Sequence, residues 1–235
     1  MVKAVILAAG LGTRMRPYTL FVPKVMLPLG EKPVLEHIID WLQTYDIKDI
    51  VICVGYLRKV IEDYFGNGDD FGVNIEYVRT KKPLGTGGQL KSASHLVDDT
   101  FLCIYGDSVI DFNINDFLSF HSQNKSLVTI ALKNHEITSK YGFIDTDKVG
   151  KVTTWREKTK FGGLINIGCY VVEPSFLDYI APGVMFGMDE AITRSLDSNE
   201  PINAQKIDGE FIDLGDRKSY VQAHEKYLSK LGNIA

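Results

Sequence analysis

The stretch "KAVILAAGLGTRMRP", residues 3–17, decides how the fold begins. Its apolar part, "KAVILAA", shows no polar alternation, which is typical of a strand buried on both faces. Two glycines, a threonine and two arginines then follow within a few residues. The loop after this strand is therefore the first place to look for a binding site.

Three kinds of loop could follow such a strand. A dinucleotide fingerprint, G-x-G-x-x-G, fits Gly10 and Gly12, but Met15 stands where a third glycine allows close helix–strand packing. A P-loop needs G-x-x-x-x-G-K-[ST], and the sequence has no such string. A phosphate-binding loop and a plain turn stay open. Glycine-rich backbone can turn N–H groups toward an anion, and Arg14 and Arg16 suit phosphate.

The composition bounds the class of protein. The chain has 235 residues, 45% of them hydrophobic, and a net charge of -4. That length can bury a sizeable core without disulfides. Lysines and arginines are scattered rather than clustered, which argues against a nucleic-acid surface. The longest apolar runs are of strand length, so we expect no transmembrane helix and no membrane partner.

Three cysteines, Cys53, Cys103 and Cys169, lie far apart inside apolar runs. No metal-ligand spacing joins them, so we expect small hydrophobic side chains in buried strands. Their odd number and the lack of a signal peptide favour the cytoplasm.

Strand and helix patterns alternate through the first half of the chain. Buried strands ("KAVILAA", "DIVICVG", "TFLCIYGD") are separated by helical patterns such as "PVLEHIIDWLQTY" and "YLRKVIEDYFG". A further helix is expected to begin after the glycines of "GTGGQLKSASHLV". This order predicts an α/β fold with right-handed βαβ units and a mostly parallel sheet covered on both faces.

The second half has strand-like pieces joined by short turns, then helical patterns that include a closing "RKSYVQAHEKYLSKLG". Its strand aromatics, Trp155 among them, are expected in the core. No Ser/Pro-rich linker interrupts the chain. We therefore expect one domain, residues 1–235, with lobes at 1–112 and 113–235. The cleft between them should lie at the carboxyl ends of the strands.

The loop does not stand alone in the sequence. "GLGTRMRP" is followed by "PKVMLPLGEKPVLEHII". Together they resemble the signature of the sugar-1-phosphate nucleotidylyltransferases, also called nucleotide-sugar pyrophosphorylases: G-x-G-T-R, P-K-x-M-x-P and G-x-K-P-[ILV]-[IL]. The resemblance continues in "PLGTGGQL", "YGDSVI", "YGFID", "REK", "INIGCYVVEP" and "FIDLGD". It implies a three-layer Rossmann-like fold of the nucleotide-diphospho-sugar transferase type, with a mixed, mostly parallel sheet.

The resemblance also implies a reaction in which an NTP and a sugar 1-phosphate give an NDP-sugar and pyrophosphate. Both reactants are anionic, so the protein must supply positioning and positive charge rather than a nucleophile. By resemblance, Arg14 reaches the pyrophosphate and Lys24 lies between the substrates. The implied nucleotide-binding residues, in the first lobe, are Leu7, Ala8, Ala9, Gly10, Gly12, Thr13, Pro83, Gly85, Thr86 and Gly87.

A Mg²⁺ ion would be held by Asp107 and Asp213, each after a predicted strand. Taken singly, an aspartate at a strand end is as consistent with a helix cap or a turn, the role expected for Asp111, Asp116 and Asp216. The implied sugar-phosphate residues, in the second lobe, are Tyr141, Gly142, Glu157, Lys158, Asn166 and Gly168. The chain departs from the family pattern at Val25, Thr159 and Ile167, where proline, proline and alanine are usual.

The resemblance indicates the nucleotide base and the phosphate acceptor less closely than it indicates the reaction. "PLGTGG" is similar to guanylyltransferases acting on mannose or heptose 1-phosphate, which favours GTP. "TGGQLK" and "YGDSV" are also similar to cytidylyltransferases. Cytidylyl, uridylyl or thymidylyl transfer, a non-sugar phosphate acceptor, and a catalytically silent nucleotide-sugar-binding regulatory subunit stay open. We expect no left-handed β-helix domain of the kind that many relatives carry, so a homodimer would form through the core.

Overall fold

The computed structural model describes residues 2–232. Its helices are α1 Val34–Thr44, α2 Arg58–Phe65, α3 Gly85–Ser92, α4 Ile114–Asn124, α5 Met188–Asp197 and α6 Arg217–Gly232. Its strands are β1 Lys3–Leu7, β2 Pro28–Leu29, β3 Lys32–Pro33, β4 Asp49–Val54, β5 Asn74–Arg79, β6 Phe101–Tyr105, β7 Ser108–Asp111, β8 Val128–Thr138, β9 Phe143–Thr146, β10 Val152–Arg156, β11 Lys160–Val172, β12 Ile202–Lys206 and β13 Glu210–Asp213.

The central sheet has seven strands in the order β12-β8-β11-β6-β1-β4-β5. β1 runs parallel to β4 and β6, β4 parallel to β5, and β8 parallel to β12. β11 is antiparallel to both of its neighbours, β6 and β8. The sheet is thus mixed and mostly parallel, and the predicted fold class is confirmed.

Both faces of the sheet are covered, which explains the apolar sequence of β1. Ala4 and Ile6 pack into one apolar cluster with residues of α1 and α4. Val5 and Leu7 point the other way and join a second cluster with residues of α3 and α5. These four side chains are at most 7% exposed. Helices on both sides make the three layers.

The three cysteines lie where the sequence predicts them. Cys53, Cys103 and Cys169 sit in β4, β6 and β11 with no exposed surface. Burial raises the pKa of the Cys53 thiol to about 12 and the pKa of Cys103 well above its usual value. The thiols therefore stay protonated and behave as small hydrophobic groups.

Helix α3 corrects one prediction, because it begins at Gly85 and contains the glycines instead of following them. A Cβ on Gly87 would lie 2.7 Å from the carbonyl oxygen of Gly187, and one on Gly88 2.7 Å from that of Val184. The missing side chains let this helix approach the backbone of residues 184–187. Glycine lowers helix propensity, and here tertiary packing outweighs that cost.

A projecting segment, residues 134–164, which we call the arm, corrects a second prediction. The outer halves of β8 and β11 form its base and the β9–β10 hairpin its end. Nearly all of its side chains are exposed. Trp155 was expected in the core, but it is 63% exposed on β10. The strand pattern identified β10 correctly without revealing that neither of its faces is covered.

The sheet continues through the proposed boundary between residues 112 and 113, because β6 pairs with β11. The division into two lobes stays a prediction, as do the homodimer and the cytoplasmic location. Within residues 2–232, no helix is long and apolar enough to cross a membrane.

We expect Leu102→Ala to lower the free energy of unfolding by about 2–5 kcal/mol, since it removes a fully buried side chain from the middle of the sheet. Chemical denaturation measures this change. Leu196→Ala is the control, because Leu196 is 52% exposed on α5. Equal losses in both variants would contradict the assigned core.

Candidate functional site

A cavity of about 470 Å³ opens at the carboxyl ends of β1 and β6. Most residues predicted for nucleotide binding and catalysis meet there, together with one predicted metal ligand. These lining residues are Leu7, Ala8, Ala9, Gly10, Gly12, Thr13, Arg14, Lys24, Pro83, Gly85, Thr86 and Asp107. Parallel strands put their carboxyl ends at one edge, so segments far apart in sequence converge on this site.

The loop of residues 8–17 has a fixed shape. Gly12 has a φ of +60°, and a Cβ there would lie 3.0 Å from Cγ2 of Thr19 and 3.3 Å from Cβ of Lys24. Thr19 is fully buried, and its hydroxyl donates a 2.7 Å hydrogen bond to the carbonyl of Gly12. Met15, also fully buried, anchors the loop from below. Arg14 and Arg16 on either side of Met15 therefore point outward and are exposed.

The two arginines differ in their surroundings. Arg14 lines the cavity, whereas Arg16 does not. Asp216, at the start of α6, accepts a hydrogen bond from the backbone N–H of Ser219 over 2.9 Å, as a helix cap does. That hydrogen bond, with a smaller contribution from the Arg14 charge, lowers the pKa of Asp216. The predicted capping role of Asp216 is thus confirmed, and its carboxylate also faces Arg14.

Lys24 and Asp107 form an ion pair at the wall of the cavity. The Nζ atom of Lys24 donates to Oδ2 of Asp107 over 2.6 Å. The Lys24 side chain is 9% exposed and that of Asp107 is 36% exposed. Lys24 begins a short 3₁₀ turn, Lys24–Met26, in which Val25 and Met26 are buried. Those apolar neighbours turn the ammonium group toward the cavity.

The second predicted metal ligand lies next to the first. β13 pairs antiparallel with β7, which sets Asp213 opposite Ser108, the residue after Asp107. Oδ1 of Asp213 accepts a 2.8 Å hydrogen bond from Gly215 N, and Gly215 lines the cavity. Among the described residues, no group of three or more His, Cys, Asp or Glu could hold a metal. Two carboxylates nevertheless suit Mg²⁺, which keeps water and phosphate oxygens as its other ligands.

The start of α3 forms the opposite wall. Gly85 has a φ of +69°, and a Cβ there would lie 2.5 Å from the carbonyl oxygen of Phe186. One turn later, the side-chain oxygen of Gln89 accepts a 3.0 Å hydrogen bond from Ala9 N. This contact ties α3 to the glycine-containing loop. Gly87, also predicted to bind nucleotide, packs against Gly187 and is not part of the cavity wall.

The predicted sugar-phosphate residues are not gathered at the cavity. Tyr141, Gly142, Glu157 and Lys158 lie on the exposed arm, where Gly142 approaches the carboxylate of Glu157. That carboxylate also accepts a 2.9 Å hydrogen bond from Trp155 Nε1. None of these four residues lines the cavity wall.

Asn166 and Gly168 lie closer to the site. Gly168, with a φ of +75°, packs against the ring of Tyr105, which lines the cavity. Its N–H donates a 2.9 Å hydrogen bond to the side-chain oxygen of Asn166. These two residues connect the base of the arm to the cavity wall.

Sequence reasoning missed several residues of the wall: Leu11, Met15, Val25, Leu84, Gln89, Tyr105, Met185 and Gly215. Tyr105 could have been found, because it ends a buried strand two residues before Asp107. Gln89 carried a weaker signal, as a buried amide soon after the glycines of α3. Nothing in the sequence around Met185 points to the site.

A smaller cavity of about 300 Å³ adjoins the first and shares Ala9, Leu11 and Pro83 with it. Three of its other lining residues are cations: Arg58, Lys81 and Lys82. Positive charge in a recess attracts anionic ligands. The two cavities thus make a longer recess than the main cavity alone.

The nucleotidyl transferase family profile matches residues 3–230. The chain belongs to the nucleotidyl transferase family. This result confirms the resemblance inferred from the loop and its neighbouring motifs.

Several curated relatives act on sugar 1-phosphates by name. The chain is 35% identical to a UTP–glucose-1-phosphate uridylyltransferase of Synechocystis sp., over 97% of this chain and 64% of that protein. It is 37% identical to a mannose-1-phosphate guanylyltransferase of Mycobacterium tuberculosis, over 83% of this chain and 55% of that protein. It therefore spans less than two thirds of these two relatives. A D-glycero-alpha-D-manno-heptose 1-phosphate guanylyltransferase of Campylobacter jejuni is 32% identical and is covered over 96% of its length.

Solved structures share the fold. HddC from Yersinia pseudotuberculosis superposes with a TM-score of 0.75 at 26% identity, over 97% of this chain and all of that one. The same protein is known in complex with GMP-PN. A UDP-glucose pyrophosphorylase bound to UDP-glucose superposes with a TM-score of 0.76 at 23% identity, which shows the fold alone. The nucleotide-diphospho-sugar transferase type of fold is thereby confirmed.

We expect Gly12→Ala to lower the free energy of unfolding by about 1–3 kcal/mol, because alanine is strained at this φ and would crowd Thr19 and Lys24. Gly10→Ala is the matched control, since a Cβ on Gly10 meets no atom within 4 Å. Thermal or urea unfolding of both variants measures the difference. A stable Gly12→Ala protein would show that the loop is not held as described.

Proposed function

We propose that this protein transfers a nucleotidyl group from an NTP, with GTP favoured, to a sugar 1-phosphate and releases pyrophosphate. The observation that carries this proposal is the Lys24–Asp107 ion pair in the wall of a cavity that the glycine-containing loop also lines. The cation, the carboxylate and the loop amides lie on three segments of the chain. Family membership supports the same reaction class.

In this reaction a phosphate oxygen of the sugar phosphate attacks the α-phosphorus, and the bond to the pyrophosphate oxygen breaks. Negative charge surrounds the reacting phosphorus throughout, so preorganised positive groups supply most of the catalysis. Lys24 would neutralise charge at the α-phosphate. Loop N–H groups near Gly10, Gly12 and Thr13 would hold the triphosphate, and Arg14 would bind the departing pyrophosphate.

A Mg²⁺ ion, when bound, would neutralise phosphate charge and hold the substrates in register. Asp107 and Asp213 would hold it, since both carboxylates lie at the end of the paired strands β7 and β13. Oδ2 of Asp107 already accepts from Lys24. That contact orients the Asp107 carboxylate and limits its freedom before the ion arrives.

The base and sugar are supported less directly. Two of the relatives described above are named guanylyltransferases, for mannose and heptose 1-phosphate, and one is a uridylyltransferase. With the resemblance of "PLGTGG" to guanylyltransferases, these names favour GTP. By resemblance, Glu157 would bond sugar hydroxyls and Lys158 would contact the sugar phosphate. Cytidylyl, uridylyl and thymidylyl transfer are alternatives that the same assay distinguishes.

A substrate panel tests the proposal. Pyrophosphate release is measured with each NTP, against mannose, heptose and glucose 1-phosphates and phosphocholine, with Mg²⁺ present. We expect turnover with GTP and one of the sugar phosphates. Turnover with phosphocholine alone would show that the acceptor is not a sugar phosphate. Nucleotide binding without any turnover would contradict the proposed nucleotidyl transfer activity and favour a nucleotide-sugar-binding regulatory subunit.

We expect Lys24→Ala to lower kcat roughly a hundredfold or more, the scale for losing one preorganised charge contact. Steady-state kinetics with the accepted substrates measure it. Lys48→Ala is the control, because Lys48 pairs with Asp46 on the surface, with 53% of its side chain exposed. Near-normal turnover of Lys24→Ala would remove Lys24 from the mechanism.

We expect EDTA to abolish turnover and Asp107→Asn to raise the Mg²⁺ concentration needed for half-maximal activity, because an amide is a weaker ligand than a carboxylate. Metal titrations of the activity measure both effects. Asp111→Asn, at the far end of β7, serves as the control. Full activity without divalent ions would contradict the metal site, as would an unchanged Mg²⁺ requirement in Asp107→Asn.

A further inference from the structure

A chain of hydrogen bonds leads from the base of the arm to the main cavity. Gly168 N donates to Oδ1 of Asn166 over 2.9 Å, and Nδ2 of Asn166 donates to the hydroxyl of Tyr170 over 2.6 Å. The Tyr170 hydroxyl lies 3.1 Å from that of Tyr105. Tyr105 lines the cavity, so the chain ends at the substrate side.

The direction of every bond in this chain is determined. A backbone N–H can only donate, so the amide oxygen of Asn166 faces Gly168 and its NH₂ group faces Tyr170. The Tyr170 oxygen thus accepts a hydrogen bond and must place its own proton elsewhere. Tyr170 has no exposed surface, and within residues 2–232 the acceptor beside it is the Tyr105 oxygen. The chain therefore donates toward the cavity at each step.

At the cavity, one hydroxyl proton is left over. Thr86 lies next to the Tyr105 hydroxyl in the cavity wall. The Thr86 oxygen already accepts a 2.9 Å hydrogen bond from Met188 N. The Tyr105 oxygen accepts from Tyr170, and its own proton has no hydrogen-bond acceptor among the described residues. Tyr105 lines the cavity, so this proton is available to a ligand.

Packing fixes the position of this donor. A Cβ on Gly168 would lie 2.6 Å from Cδ2 of Tyr105, so the ring rests directly on the glycine backbone. The same glycine begins the hydrogen-bond chain. The ring and hydroxyl of Tyr105 are thus set by one segment of β11, and a preorganised donor loses little entropy on binding.

The donor is uncharged. A tyrosine hydroxyl ordinarily keeps its proton at neutral pH, because the usual pKa of the phenol is about 10. The phosphate groups have other partners in the cavity, namely the loop amides, Arg14 and Lys24. A neutral donor beside them suits a neutral acceptor, such as a sugar hydroxyl.

We propose that Tyr105 is a specificity-determining residue that donates a hydrogen bond to one hydroxyl oxygen of the sugar in the sugar 1-phosphate. Tyr170 and Asn166 act as positioning residues that keep the donor aimed into the cavity. This inference rests on the proposed function and adds a sugar contact that the sequence did not indicate. A site built to donate to a hydroxyl rejects the analogue that lacks it.

The test combines Tyr105→Phe with singly deoxygenated analogues of mannose 1-phosphate (with GTP) and glucose 1-phosphate (with UTP). We expect Tyr105→Phe to lower kcat/KM for the sugar phosphate about three- to tenfold, as for one hydrogen bond, and to leave the KM for the NTP unchanged. With the wild type, the kcat/KM of one analogue should be lower than that of the parent sugar phosphate by a similar factor. With Tyr105→Phe, that analogue and the parent sugar phosphate should have the same kcat/KM.

Two variants serve as controls for a merely structural effect. Tyr170→Phe keeps the Tyr105 hydroxyl but removes the hydrogen bond that positions it, so the loss with the analogue should fall between those of the wild type and Tyr105→Phe. Tyr179→Phe removes a hydroxyl that donates to Glu200, away from the cavity, and should behave as the wild type. If every analogue lowers kcat/KM by the same factor in the wild type and in Tyr105→Phe, the proposal is wrong.

Binding provides a readout that does not need turnover. Calorimetry gives the affinity of GDP-mannose relative to GDP, and of UDP-glucose relative to UDP. We expect Tyr105→Phe to lower one of these ratios and Tyr179→Phe to leave both unchanged. If the wild type catalyses no reaction yet a ratio falls in Tyr105→Phe, the proposed function fails and the sugar contact stands. Unchanged ratios, or no binding of either nucleotide sugar to the wild type, would overturn the contact.

Discussion

The position of β1 constrains everything around the site. β1 has a parallel neighbour on each side, β4 and β6, and its side chains are buried on both faces. The chain must therefore leave the sheet at its carboxyl edge, between two other strand ends. The first backbone N–H groups beyond the strand find partners on neighbouring elements, Ala8 N at the carbonyl of Cys53 and Ala9 N at Gln89. The loop is thus fixed at its root, and its glycines extend over an open cavity.

Desolvation of the Lys24–Asp107 pair costs more free energy than desolvation of an exposed pair, because the lysine side chain is nearly buried. Two such charges seldom stabilise a fold as well as apolar side chains would. Their value is better explained by the proposed substrates, which would carry several negative charges into the same space. With Lys24 held against Asp107, the cavity presents a positive group that substrate phosphate can engage without first ordering a flexible side chain.

Local periodicity explains what the sequence could predict. Helices α1 and α2 and the buried strands carry clear patterns, and the loop motif indicates the correct family. The predicted start of α3 was wrong. Its glycines are needed inside the helix because the helix packs against the backbone of residues 184–187, about a hundred positions away in the sequence. The β7–β13 pairing behind Asp213 is equally non-local. The arm, with Trp155 on it, is exposed because no other element covers it. The pattern of a strand does not indicate whether another element packs against that strand.

The cavity separates two kinds of recognition. Charged groups and loop amides face the side where phosphates are proposed to bind, and their attraction acts over several ångströms without strong directional demands. The Tyr105 hydroxyl is neutral, and the hydrogen bond that it is proposed to donate depends on distance and angle. Directional contacts discriminate between sugars only if the donor cannot swing away, and the Gly168 backbone secures this through both the ring packing and the one-way chain of donors. A backbone N–H cannot reverse its polarity, so the orientation of the final hydroxyl is set by the path of β11 rather than by the ligand.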